Sequence, residues 1–322
     1  MKNKRMFVVS HASFWHNGDR ISTRNYNILL ATLPAVIFGL VKFGGIALGV
    51  LGLSVSLSMA WEWIMCKAMG RENTLGDMDA AVLGVLFAMV MPATMPWWAM
   101  VVGTFVMVVI GKMIFGGIGG APFNPVILAT AIVGVSWAAL LNFDARYLHY
   151  VFDHNPAYPL ASAKAFGAEA AANWSTMDLL MGNQIGGMGA VFGLGLLIGG
   201  IYLILRGHIR WEISVSFLAA VAVTAFLFQV SDPDKYAGPL FHLFTGYTLI
   251  GAFFLATHNS SSPVNFVPML LFGAGIGVMT MLIRNIGAYQ DGVVYAILLF
   301  NVANPLLDRI RPKALGKVVQ NA

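Results

Sequence analysis

The segment Gly116-Gly117-Ile118-Gly119-Gly120-Ala121-Pro122-Phe123-Asn124-Pro125 follows closely on Lys112. Four glycines and two prolines cannot continue a helix, because proline lacks the amide hydrogen and glycine is a poor helix former. The backbone here must therefore be irregular, and irregular backbone has bare N–H groups to offer. Together with the Asn124 amide and the start of the next helix, these groups could hold a flavin ring, a quinone head or an anion. Gly116, Gly117, Gly119 and Asn124 are the binding candidates. The competing reading is a re-entrant turn whose glycines only let helices pack closely. No Gly-Lys-Ser/Thr tripeptide follows, which excludes a phosphate-binding P-loop.

A second segment, Arg284-Asn285-Ile286-Gly287-Ala288-Tyr289-Gln290-Asp291-Gly292, has a similar make-up. Charge near a bilayer is costly, so Arg284 and Asp291 are expected to pair, while an ion-path role for Asp291 is the sharper alternative. Glu62, inside an apolar run near Lys67, is a further ion-path candidate, although snorkelling toward Lys67 would also satisfy it. Asp77 and Asp79 read as helix-start acids. His11, His16, His149, His154, His208, His242 and His258 fall in loops or at the ends of apolar runs, which argues against haem or a di-metal centre. Residues 257–263 form a polar turn whose hydroxyls could bind a ligand or merely cap it. No catalytic set and no metal set emerges.

The elements that must position these residues are membrane helices. Of 322 residues 58% are hydrophobic and 10% charged, against roughly 25% charged in a soluble domain. That excludes a soluble enzyme, a nucleic-acid-binding module and a disordered scaffold. The single cysteine, Cys66, excludes disulfide frameworks and Cys-ligated clusters. A spanning helix needs about 20 apolar residues, and ten stretches qualify or nearly do: 26–42, 44–65, 79–94, 96–113, 126–142, 186–205, 212–230, 243–257, 266–284 and 290–306. Several are short, so tilted or broken helices are expected.

Lys42, Arg146, Lys164, Lys235 and Arg284 fall on one side of these spans, and the rest of the 19 lysines and arginines fall on the other. The basic side should be cytoplasmic, with both termini inside and the acidic connection 143–185 outside. Residues 79–142 and 243–306 repeat one order of span, Pro-containing turn, span, Gly-rich basic segment and span. Five spans separate the copies, as in an inverted-topology repeat, although one hydrophobic hairpin also resembles another. The expected organisation is an amino-terminal segment (1–25), a first five-helix repeat (26–142), an outer loop (143–185), a second five-helix repeat (186–306) and a basic tail (307–322).

An ordered set of motifs adds to this reading. They are Met91-Pro92-Ala93-Thr94-Met95-Pro96-Trp97-Trp98, Gly111-Lys112, Phe115-Gly116-Gly117, Pro122-Phe123-Asn124-Pro125, Thr248-Leu249-Ile250-Gly251-Ala252-Phe253-Phe254, Leu271-Phe272-Gly273-Ala274-Gly275-Ile276-Gly277, Asp291-Gly292-Val293-Val294 and Asn304-Pro305-Leu306-Leu307-Asp308. Together they resemble the D subunit of the Rnf electron-transport complex and, more distantly, the B subunit of the sodium-pumping NADH:quinone reductase. The chain starts almost at Ser10-His11, without the long extension expected of the quinone reductase subunit, which favours the Rnf type.

The resemblance implies a multi-pass subunit of a bacterial inner membrane complex. That complex passes electrons between ferredoxin and NAD through flavins and iron–sulfur centres on several subunits, and moves Na+ or H+. It implies a second flavin or quinone-like ligand at residues 116–124. It also implies an FMN joined by a phosphoester to Thr in a Ser-x-Ala-Thr-Pro-Leu motif of the outer loop. Here the matching stretch is Asn155-Pro156-Ala157-Tyr158-Pro159-Leu160, with Tyr158 in place of the acceptor. FMN or riboflavin is therefore expected to bind without a covalent bond near Asn155, Tyr158, Pro159 and Ser162; the alternative is that the outer flavin is absent. The runner-up functions are a quinone-reducing subunit and, from another class, a secondary transporter.

Overall fold

The computed structural model describes residues 20–311. The Ser10-His11 segment, His16, the most amino-terminal basic residues and the tail beyond Arg311 lie outside the described residues. Among those described, every regular element is helical.

Helices α1 (Ile21–Phe43) and α2 (Gly45–Ala68) form a hairpin turned on Gly44, whose φ of 71° is a conformation open mainly to glycine. α3 (Asp79–Val90) has only 12 residues, about 18 Å of helix. It stops because Pro92 follows, which draws Met91 into an extended conformation. α4 (Trp97–Phe105) runs into a π-helical stretch, Val106–Met113. α5 (Pro125–Ser136) starts with proline at its first position and Asn124 as its cap. Four short helices follow: α6 (Phe143–Arg146), α7 (Pro159–Phe166), α8 (Ala168–Ala171) and α9 (Thr176–Met181). The chain continues through α10 (Gly193–Leu205), α11 (Trp211–Ser231), α12 (Pro239–Phe244) and α13 (Thr248–Ile250). A second π-helical stretch, Gly251–Leu255, extends α13, and α14 (Phe266–Asn285) and α15 (Val293–Leu307) complete the fold.

Among the described residues, four helices (α1, α2, α11 and α14) are long and apolar enough to cross a membrane, and shorter apolar helices accompany them. The chain is a helical, multi-pass membrane protein. The apolar runs overstate several helices. The run 79–94 ends as helix at Val90, the run 186–205 is irregular until Gly193, and the run 243–257 is broken around Gly246.

Irregular backbone at membrane depth survives only when protein satisfies it. Here two irregular pieces satisfy each other. Met188 N–H donates to Met91 O at 2.9 Å, and Gly189 N–H donates to Met89 O at 2.9 Å. Tyr247 Oη donates to Val90 O, and Ala93 N–H donates to Tyr147 Oη. A Cβ at Gly187 would stand 2.8 Å from Met89 O, so only glycine lets the two pieces of chain meet. Small residues also let helices close on one another. Gly273 and Gly277 of α14 lie against backbone atoms of Ile213 and Phe217 on α11, and Gly199 of α10 lies against Ala31 O of α1.

Arg20, at the start of α1, and Asp308, at the end of α15, line one cavity. At the other end of α1, Lys42 Nζ donates to the carbonyls of Gly182 and Gln184. The molecule thus has an end face, where the described chain ends meet, and a loop face covered by residues 143–185.

Candidate functional site

The cavity at the end face has a volume of about 850 Å³. Gly117, Gly119 and Asn124 line it on one side; Thr257, His258, Asn259, Ser260 and Ser262 line it on the other. The glycine-rich segment and the polar turn, far apart in sequence, are two walls of one site. Gly116, Gly117 and Gly119 have φ of 107°, 98° and 88°, and nothing lies within 4 Å of where their Cβ atoms would be. Gly116 is exposed and does not line the cavity.

Asn124 is held on three sides. Its Oδ1 accepts from Val126 N–H at 2.9 Å and Ile127 N–H at 3.3 Å, which caps α5. Its Nδ2 donates to Leu255 O, the last residue of the second π-helical stretch, at 2.7 Å. With its amide oriented by hydrogen-bonding chemistry, Asn301 accepts from Asn124 N–H and donates to Ser261 O. Asn124 therefore joins the two walls.

Arg24 Nη2 donates to Asn259 Oδ1 at 2.8 Å, and Arg24 Nε is buried with no partner among the described residues. The Nδ1 of His258 lies 3.1 Å from Ser260 Oγ and 3.2 Å from Ser261 Oγ. Burial pushes the His258 imidazole down to about 4; Asp79 opposes this, while Arg24 and Lys112 add to it.

Behind the cavity lies a buried charge cluster. Lys112 Nζ, at the end of the first π-helical stretch, is 2.8 Å from Glu62 Oε1 on α2 and 2.8 Å from Asp79 Oδ2 on α3. Glu62 Oε1 also accepts from Thr74 Oγ1 at 2.5 Å, and Glu62 Oε2 has no partner among the described residues. The alternative reading of Glu62, snorkelling toward Lys67, is not what forms: Glu62 pairs with Lys112, and Lys67 Nζ lies over the Trp63 ring. Asp79, read as a helix-start acid, does lie in the first turn of α3, but it also ties α3 to Lys112. Sequence reasoning passed over Lys112 as a partner because nothing local links it to an acid 50 residues away. The available signal was one lysine and two acids ending runs on the same side.

At the loop face, Arg284 and Asp291 pair at 2.9 Å as expected. Arg284 also donates to His242 O at 2.9 Å and Thr245 O at 3.3 Å, the free carbonyl end of α12. Asp291 Oδ2 accepts from Tyr247 N–H at 2.7 Å, at the amide end of α13. Cation at the carbonyl end and anion at the amide end is the arrangement helix dipoles favour. His242, at the end of an apolar run, is buried within α12, and neither ring nitrogen has a partner among the described residues.

Tyr158 caps the start of α7 and is 2% exposed, with its backbone N–H donating to Asp144 Oδ1 at 2.6 Å and its ring against Phe143. It lines a 260 Å³ cavity together with Tyr247, Asp291 and Tyr295. A neighbouring cavity of about 430 Å³ is lined by Leu160, Lys164, His242, Arg284 and Asn285. Pro159 is buried at the first position of α7. Asn155 is exposed and accepts from Ala157 N–H, while Ser162 sits half-buried in the first turn of α7. Neither Asn155 nor Ser162 lines either of these cavities or the one at the end face.

The fold and this site define a multi-pass helical membrane protein that encloses a polar cavity and a buried charge cluster at one face. A model of the NQR2, RnfD, RnfE family matches residues 8–316, and the chain belongs to that family. It is 37% identical over 296 residues to the D subunit of the Na+-translocating ferredoxin:NAD+ oxidoreductase complex of Acetobacterium woodii, covering 91% of this chain and 90% of that one. It is 31% identical over 346 residues to the D subunit of the ion-translocating oxidoreductase complex of Pectobacterium carotovorum, covering 96% and 99%. The D subunit of the proton-translocating ferredoxin:NAD+ oxidoreductase complex of Clostridium ljungdahlii is 30% identical over 316 residues, covering 95% of each chain.

Proposed function

We propose that this chain is the membrane D subunit of an ion-translocating ferredoxin:NAD+ oxidoreductase complex in a bacterial inner membrane, and that its end-face cavity holds a flavin. The relatives' names support the first part. The observation that carries the second is the cavity itself, built from two segments that each read as ligand-binding.

The residues fit such a ligand. A volume of 850 Å³ lies within the range of about 300–1,000 Å³ usual for cofactor sites. Gly117 and Gly119 leave open space where side chains would stand, and Arg24 Nε is a buried donor without a partner among the described residues. Phe253 and Phe254 supply an apolar wall that limits water. A bound flavin supplies electron exchange, which no side chain of this protein offers. Asn124 fixes the spacing of the walls, Arg24 and the bare amides bind, and electrons arrive from and leave to partner subunits carrying flavin and iron–sulfur centres. The chain has no complete active site alone.

The ten-span reading, two inverted five-helix repeats with both termini cytoplasmic, belongs to this proposal. It is supported by contacts between α1 and α10 and between α5 and α15, the pairs such a repeat relates. Lys112 and Arg284 also end corresponding helices. On this reading the end face is cytoplasmic, and the Glu62–Lys112–Asp79 cluster is the ion-path candidate. Asp291, held by Arg284, Tyr247 and Val293, acts as a structural clamp.

At the loop face, a phosphoester to Tyr158 does not fit a phenol buried beside Phe143 in a 260 Å³ cavity. FMN there binds without a covalent bond, in the neighbouring 430 Å³ cavity, where Lys164 and the unpartnered ring of His242 offer polar contacts. The experiment is a denaturing gel of the purified complex under ultraviolet light, followed by acid extraction. Extractable flavin with no fluorescent band at this subunit's mass supports the reading; a fluorescent band contradicts it. The runner-up, quinone reduction, draws on the apolar Phe253–Phe254 wall, and quinone reductase activity exceeding NAD activity would favour it. Flavin-free solute uptake in liposomes would favour a transporter.

A further inference from the structure

His258 lines the end-face cavity without capping a helix or pairing with a charge. It follows the second π-helical stretch in the polar turn, and its Nδ1 faces the hydroxyls of Ser260 and Ser261. Two hydroxyls on one ring nitrogen fix the plane of the imidazole. Among the described residues no protein group bonds its Nε2, and the residue lines the cavity. The charged groups that act on it come from three other elements: Asp79 from α3, Arg24 from α1 and Lys112 from the first π-helical stretch.

We infer that His258 exchanges a proton with the redox ligand in this cavity, Nδ1 being the anchored nitrogen and Nε2 the working one. The inference rests on the reading that the cavity holds such a ligand. Each electron delivered by a partner subunit brings negative charge into a poorly solvated site, where uncompensated charge is expensive. The Nε2 lone pair takes a proton from hydronium at the cavity mouth, which leaves as water. The imidazolium N–H bond then breaks, the proton passes to a carbonyl oxygen or ring nitrogen of the ligand, and neutral imidazole returns. One proton from the bulk solvent accompanies one electron from the partner, and water is the only by-product. Burial suits the ring to this task, because an imidazolium that is unfavourable in the site gives its proton up readily. The direct ties between the cavity and the ion cluster, through Lys112 and Asp79, put this proton transfer beside the proposed ion path.

The test uses the purified, assembled complex carrying His258→Gln or His258→Ala. Flavin content of the wild-type complex is measured first, and its absence would overturn the cavity reading itself. With flavin present, His258→Gln should keep the flavin and the subunit composition. It should lower turnover roughly a hundredfold, the size usual for a positioned proton donor, and remove the histidine limb from the rate–pH profile. Added imidazole should restore part of the turnover of His258→Ala. Retained flavin with unchanged turnover and pH profile in His258→Gln would overturn the inference. So would loss of flavin from His258→Gln, which would make His258 a binding residue only.

Discussion

Arg284 and Asp291, seven positions apart, clamp the break between α12 and α13 from its two sides. The guanidinium closes the carbonyl end of one helix and the carboxylate closes the amide end of the next. The chain turns between them at Gly246, where φ is 64° and a Cβ would run into both side chains. A broken helix in a membrane needs such closure, since lipid provides no donors or acceptors.

Arg284→Met should therefore destabilise the protein strongly. Removing one partner of a buried pair typically costs about 3–5 kcal/mol, because the other charge stays behind. Thermal unfolding of the detergent-solubilised complex would read the loss. Arg284→Met with unchanged thermal stability would show that the clamp is dispensable. Asp291→Asn should lower stability too, while complex that does assemble keeps its ion-to-electron ratio.

Glu62→Gln is expected to behave differently. It keeps the side chain's shape and its bond to Thr74 while removing charge from the Lys112 cluster. Assembly should be near wild type and electron transfer should continue, but ion uptake into vesicles per electron should fall several-fold. An unchanged ratio would take Glu62 out of the ion path.

Gly117→Leu should reduce bound flavin and turnover more than assembly. The position faces open cavity, so the side chain occupies ligand space, and backbone strain at φ 98° adds about 1–3 kcal/mol. Parallel loss of flavin and of assembled complex would reduce the segment to a packing turn.

The charge state of His258 sets a pH dependence of stability. In the folded protein the ring titrates at about 4 rather than 6.5. Below its ordinary value the unfolded chain binds a proton that the folded chain refuses, so stability is full above about 6.5 and falls as the pH drops toward 4. Thermal unfolding across that window should show a smaller decline for His258→Gln than for wild type. Identical slopes would contradict the assignment.

The long helices were legible because composition alone marks them: α2, α11 and α14 fall within a few residues of their apolar runs. α1 begins at Ile21, ahead of its run, since Ser22, Thr23, Arg24 and Asn25 hide a helical first turn from any hydropathy argument. The half-helices were blurred for the opposite reason. Residues 186–192 are as apolar as a span, yet their backbone pairs with Met89 and Met91 instead of coiling. Each wall of the cavity was visible as a cluster of special residues. Their meeting was not, because Asn124 and Leu255 touch only through the tertiary fold.

What the end-face cavity holds decides the function of the chain. Acid extraction of the purified wild-type complex and of the Gly117→Leu complex, each assembled to a similar extent, compares the released flavin directly. Non-covalent flavin that is present in the first and depleted in the second is the predicted result. Equal flavin in both, or none in the wild type, would contradict a flavin site at this face.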